Sequence, residues 1–146
     1  MVDDNEEAVW AVWDGAQYRV AGLDKRRAIE ERRNDEVIVP ERYVVETRLI
    51  GEAQAVAIVE LEQLVGSALE STGELLSFGP AEYVGEGPMW WLFRRYCSEW
   101  QADGLVPGAV SCVVDKVDLH VWSPAETEAF WQSQRALDPD SHPGES

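Results

Sequence analysis

Between Glu52 and Ser71, Ala53, Ala57, Leu61, Leu64 and Ala68 recur at helical spacing, and Ile58, Val65 and Leu69 widen the stripe. Glu52, Glu60, Gln63, Ser67 and Glu70 fall on the other side, which predicts an amphipathic helix stopped by Gly73. Val56 and Val59 break that division, so a hairpin turning at Gly51-Glu52 is the competing reading. Met89 to Trp100 also reads as a helix, with Met89, Phe93, Tyr96 and Trp100 on one stripe and Leu92, Cys97 and Trp90 at its margins. Pro88 suits the first position of that helix and Asp103-Gly104 its end. A third helix is predicted from Pro124 to near Arg135, because Ser123-Pro124-Ala125-Glu126 is a capping box and Phe130 and Trp131 can anchor the helix it starts.

The remaining apolar positions alternate with a period of two. Two short runs about Asp14-Gly15 predict a hairpin, with Trp10 and Val12 on one face and Val9, Ala11 and Trp13 on the other. Val37-Ile38-Val39 ends at Pro40, as an edge strand or strand end does. Tyr43, Val45, Thr47 and Leu49 alternate with Val44, Glu46 and Arg48, the pattern of a half-buried strand. From Asp24 to Asn34, helical spacing puts Arg26 near Glu30 and Arg27 near Glu31, so most of this charge can be neutralised within a segment that reads as a solvated helix or loop. Leu75 to Phe78 reads as a strand or turn, Gly85-Glu86-Gly87 as a hinge or turn. Val110 to Trp122 changes phase near Asp115-Lys116, which predicts one bulged strand or two joined there. The expected fold is α+β, a mostly antiparallel sheet packed on one face by about three helices. At 146 residues, we expect one globular domain over 8–137, an acidic mobile N-terminus over 1–7 and a disordered tail over 138–146.

Charge changes this picture more than composition does. The chain carries 28 acids against 12 bases, a net charge of −16, and Leu49 to Phe93 holds seven acids and no base. Such a surface repels nucleic acid and anionic membranes and favours a basic protein partner; acidity that serves solubility alone is the competing explanation. No apolar stretch reaches the roughly 18 residues that span a bilayer, and a cytoplasmic location is expected.

Candidate chemistry is sparse. His120, flanked by Asp118, permits an Asp-His relation with Cys97 or Cys112 as nucleophile, but the spacing carries no family signature; His142 sits in the tail. No metal-ligand spacing occurs, Asp115/Asp118 and Glu60/Glu62 being pairs that chance supplies, and no cofactor motif is present. Trp10, Trp13, Trp90, Tyr96 and His120 are the residues that could line a ligand pocket. On the predicted helix Trp91 falls on the polar side beside Arg94, Arg95 and Ser98, where it could stack with Arg95 and meet a partner. The preferred reading is a small, acidic, non-enzymatic binding or inhibitory protein acting on a basic toxin, nuclease or nucleic-acid-binding factor. Its contacts would be Trp91, Arg94, Arg95, Glu52, Glu60 and Glu70. A small-molecule-binding or enzymatic domain with a tryptophan-lined pocket, and a homo-oligomeric structural subunit, are the alternatives.

Overall fold

The computed structural model describes residues 9–137. The expected mobile N-terminus lies outside the described residues, and so does the expected tail, with His142. The described residues form two compact units, one made of 9–47 and 122–137, the other of 48–121. Each holds a three-stranded antiparallel sheet, so the fold is α+β with antiparallel pairing throughout.

In the first unit β1 (Trp10–Trp13) is the central strand, between β2 (Tyr18–Leu23) and β3 (Val37–Pro40). Four successive apolar residues suit a strand buried on both faces, and Ala11, Val12 and Trp13 are indeed buried. The β1–β2 turn forms where the sequence predicts it: the Asp14 carboxylate accepts from the amides of Ala16 and Gln17, and Gly15 takes φ 106. Helix α1 (Lys25–Glu31) starts at Asp24, whose side chain accepts from the Arg27 amide at 2.8 Å. Its Ala28 packs with Val12 and Ile38, and Trp10, Val20, Leu23, Ile29 and Leu137 surround them. Helix α5 (Pro124–Ala136) closes the unit behind the predicted capping box, in which Ser123 accepts from the Glu126 amide and Glu126 from the Ser123 amide.

The strand expected over Tyr43–Leu49 is not there. Arg42–Val45 forms a single helical turn, α2, in which the amides of Val44 and Val45 donate to Glu41 and that of Glu46 to Arg42. Only Tyr43 is buried, while Val45 is 69% exposed. The alternation is real in the sequence but serves one anchor, and a turn satisfies one anchor without any partner strand.

In the second unit α3 (Ile50–Thr72) lies on a meander of β4 (Glu82–Glu86), β5 (Trp90–Tyr96) and β6 (Ala109–Asp115), with β5 central. The predicted long helix is correct, Val56 and Val59 included, and it ends at Gly73 with φ 70 and its amide on the Leu69 carbonyl. Ala53, Ala57 and Leu61 pack against Trp91, Phe93, Cys112 and Val114 on one face of the sheet. Small residues on the helix let it approach the bulky strand side chains.

The aromatic run is a strand and not the predicted helix. The Gly87 amide donates to the Trp90 carbonyl at 2.9 Å, which closes a hairpin turn through Pro88 and Met89. Trp91, Phe93 and Arg95 then pair with Val114, Cys112 and Val110, and Trp90, Leu92, Arg94 and Tyr96 take the opposite face. Aromatic and branched residues suit a pleated surface, and the glycines before Pro88 supply a turn where a helix would need a cap. Only Ser98–Ala102, α4, is helical, and it ends at the predicted Asp103-Gly104, with Asp103 as its cap and Gly104 at φ 84. After β6 the chain turns through Asp115–His120 and returns with Val121 bridged to Val114, the two-segment form of the Val110–Trp122 prediction.

Candidate functional site

Because β5 is a strand, Trp91 faces α3 and is 6% exposed, so the reading of Trp91 as an exposed partner contact is corrected. Its expected stacking with Arg95 also fails, since four residues along a strand separate the two by about 13 Å. The cation above its ring is instead Lys116, with Nζ 5.9 Å from the ring centre. Lys116 is 2% exposed and pairs with Glu86 at 2.7 Å. Burial pulls its pKa below the ordinary 10.5, opposed by the Glu86 carboxylate. The sequence marked Asp115-Lys116 as the point where the strand pattern changes phase, and the only signal for a special lysine was that the chain has just two.

The other predicted contacts are dispersed. Arg94 lies on the opposite face from Trp91 and donates to the Ser111 hydroxyl at 3.1 Å. Arg95 donates to the Gly79 carbonyl at 2.6 Å and lies 3.8 Å from Glu62. Glu52 is held by Arg48 at 3.0 Å and accepts the Leu49 amide, and Arg48 holds its carboxyl below the usual range. Glu70 is exposed near the end of α3, and Glu60 borders a groove beside that helix.

The predicted pocket residues are divided between the two units. Trp10 and Trp13 belong to the first unit, where Lys25 lies 5.4 Å from the Trp10 ring and Tyr18 sits edge-on to Trp13. Trp90 and Tyr96 belong to the second unit and stand six residues apart on β5, about 20 Å. Trp90 is folded over Gly87 so closely that a Cβ there would overlap its indole. The half-exposed His120 lies with Nδ1 2.5 Å from Asp118 Oδ1, the Asp-His contact the sequence allowed.

That contact does not extend to a nucleophile. Cys112 is buried against α3, and desolvation raises its thiol to about 12, so it stays protonated at neutral pH. Cys97 is buried as a free thiol with Sγ 3.5 Å from Glu99. Asp115, Asp118 and His120 bring donor atoms within 4.8 Å of one another. The Asp115 carboxylate is already accepting from the amides of Val117 and Asp118, and Asp118 from His120, so these groups are engaged in building the turn. They are the residues that could hold a metal, and their hydrogen bonds account for their proximity without one.

Each unit also carries a surface groove. In the second unit, Ala55, Val56, Val59, Glu60 and Val121 line an open, apolar groove of about 380 Å³ beside α3. Val59, the residue that broke the helical pattern, is 59% exposed there. In the first unit, the segment after α1 and the last turns of α5 enclose a polar groove of about 570 Å³, with Arg32, Arg33, Trp131 and Arg135 among its walls. The sequence carries no signal for the polar groove, since Asp24 to Asn34 reads as a solvated helix or loop with most of its charge neutralised internally. No helix among the described residues is long and apolar enough to cross a membrane. No protein-family model matches the chain, and neither a curated protein nor a solved structure matches it.

Proposed function

We propose that this chain is a non-enzymatic binding protein that captures a basic protein partner on the α3 face of its second unit. The observation that carries the reading is the open apolar groove at Val56, Val59 and Val121 with Glu60 on its border. Val59 is exposed on the helix with the partly buried Val56 and Val121 beside it, an arrangement that suits docking of an apolar anchor. Residues 48–121 carry eleven acids and four bases. Three of those bases are already paired within the unit, Arg48 with Glu52, Arg95 with Glu62 and Lys116 with Glu86. Charge therefore favours cations around the anchors and speeds their encounter. This reading keeps Glu60 and the basic partner from the sequence and moves the apolar contact from Trp91 to Val59.

The test uses a synthetic amphipathic helix with leucines on one face and lysines on the other, titrated by calorimetry. The protein is expected to bind it, and Val59→Ser, which leaves charge untouched, to weaken binding by about tenfold. The same peptide with glutamates for lysines is expected not to bind. Unchanged affinity in Val59→Ser would reduce the interaction to unspecific charge attraction and overturn the proposal. So would self-association of the protein that Val59→Ser abolishes, since the surface would then belong to a second copy.

A further inference from the structure

Acids outnumber bases, and most of the cations find a carboxylate. Arg19 pairs with Glu36, Arg26 with Glu30, Arg27 with Glu31 and Arg135 with Glu128 in the first unit. Among the described residues, the guanidinium groups of Arg32 and Arg33 have neither an ion pair nor a hydrogen bond. Both line the same groove. Glu36 is also in the groove wall, but its carboxylate is taken by Arg19, with both oxygens at 2.9 Å, and by the Arg33 amide. It acts on Arg33 through space without forming an ion pair with it, and the exposed Asp35 is the other acid in the wall.

The backbone at this place adds donors. Arg33 to Glu36 is a turn closed by the Glu36 amide on the Arg33 carbonyl at 3.0 Å, with Asp35 at φ 72. The amides of Asn34 and Asp35 donate to no acceptor among the described residues. Across the groove stand half-buried Trp131 and the Arg135 side chain. Gln134 fixes that wall, because its amide accepts from the Ile38 amide at 3.2 Å and donates to the Ile38 carbonyl at 2.8 Å.

We infer that this groove binds a small phosphate ester carrying a planar ring, with Arg32 and Arg33 on the phosphate and Trp131 against the ring. A guanidinium matches phosphate geometry with paired donors, and an indole is a stacking surface for a planar group. The cations converge at one groove of small-ligand size, whereas an acidic peptide needs cations strung along its path. The site lies in the first unit and is independent of the α3 surface.

Calorimetric titration of the full chain at low salt with adenosine monophosphate, ribose phosphate and adenosine tests it. Adenosine monophosphate is expected to bind most tightly, with ribose phosphate and adenosine each about tenfold weaker. The double variant Arg32→Gln, Arg33→Gln is expected to lose at least about tenfold in affinity. Arg26→Gln, Arg27→Gln, the same charge change on α1 away from the groove, should lose none. In the unaltered protein, amide resonances of residues 32–36 should move on titration, a readout that needs no variant. No binding of adenosine monophosphate at millimolar concentration would overturn the proposal. Equal losses in the two double variants, or tighter binding of a poly-glutamate peptide than of the nucleotide, would do the same.

Discussion

The two units solve the same problem, a three-stranded sheet under a helix, with different materials. Residues 48–121 are continuous in sequence, and their sheet is a meander whose neighbours along the chain are neighbours in space. Phe93, Trp91, Val114, Leu61 and the small alanines of α3 fill its interior. The first unit is assembled from two stretches of chain, and α5 returns to it from far along the sequence. What ties α5 down is a polar clamp: Gln134, 8% exposed, satisfies both backbone groups of Ile38 on edge strand β3, 96 positions away. An edge strand offers unpaired backbone groups to any other strand, and here a side-chain amide occupies them. The contrast teaches that local pairing can rely mainly on apolar burial, whereas a distant segment needs directional bonds to fix where it lands.

Removing Trp91 should produce the largest effect. Trp91→Ala leaves a void beneath α3 and is expected to cost about 3–5 kcal/mol, read from denaturant unfolding and from lost hydrogen-exchange protection in β5 and β6. A loss under about 1 kcal/mol would mean that apolar burial does not hold the second unit, and the comparison would fail. Gln134→Leu tests the other side. It keeps the volume and strands the Ile38 amide and carbonyl, at an expected cost of about 2 kcal/mol for buried groups left unpaired, with protection lost in β3. A neutral outcome would show that packing around Leu137 and Ile29 is sufficient to seat α5.

A smaller effect is expected from Gly87→Ala. A methyl group at this position meets the Trp90 indole, so the ring or the turn must shift, at about 1–2 kcal/mol. Near-ultraviolet circular dichroism should register the displaced indole even where stability changes little. An unaltered spectrum with unaltered stability would mean that the tight turn plays no part in making the aromatic run a strand.

Much of this architecture was legible along the chain, and its failures have a common cause. The α3 stripe, the Gly73 stop, the Ser123 capping box and the Asp14 turn are local signals, and the structure honours each. The run from Trp90 to Tyr96 fits both periodicities, because aromatics at 91 and 93 alternate while the apolar residues at 89, 93, 96 and 100 follow a helix. The helical reading rests on spacing inside the run alone; the glycines before it and the β-branched partners Val110 and Val114 decide the matter through pairing. The same error made Trp91 look exposed and coupled it to Arg95. The Gln134 clamp and the groove between the Arg32–Glu36 turn and α5 were not legible, since both join residues about a hundred positions apart. What could be read was the residue left over, Val59 off the helical stripe.

The smallest expected effect concerns the acid limb of stability in the first unit. Arg19, through its hydrogen bonds to Glu36, holds that carboxyl below its ordinary value of 4.5 against the opposing effect of burial. A lowered folded-state pKa gives stability that is present above about pH 4.5 and lost as pH falls through the folded value. Arg19→Met should therefore melt below the wild type at pH 6, and the gap between their melting temperatures should narrow as pH drops beneath 4.5. The polar ties of the first unit would then be electrostatic in origin. A gap that stays constant down to about pH 3 would assign the contribution of Arg19 to the packing of its stem, and the first unit would resemble the second more closely than its hydrogen bonds suggest.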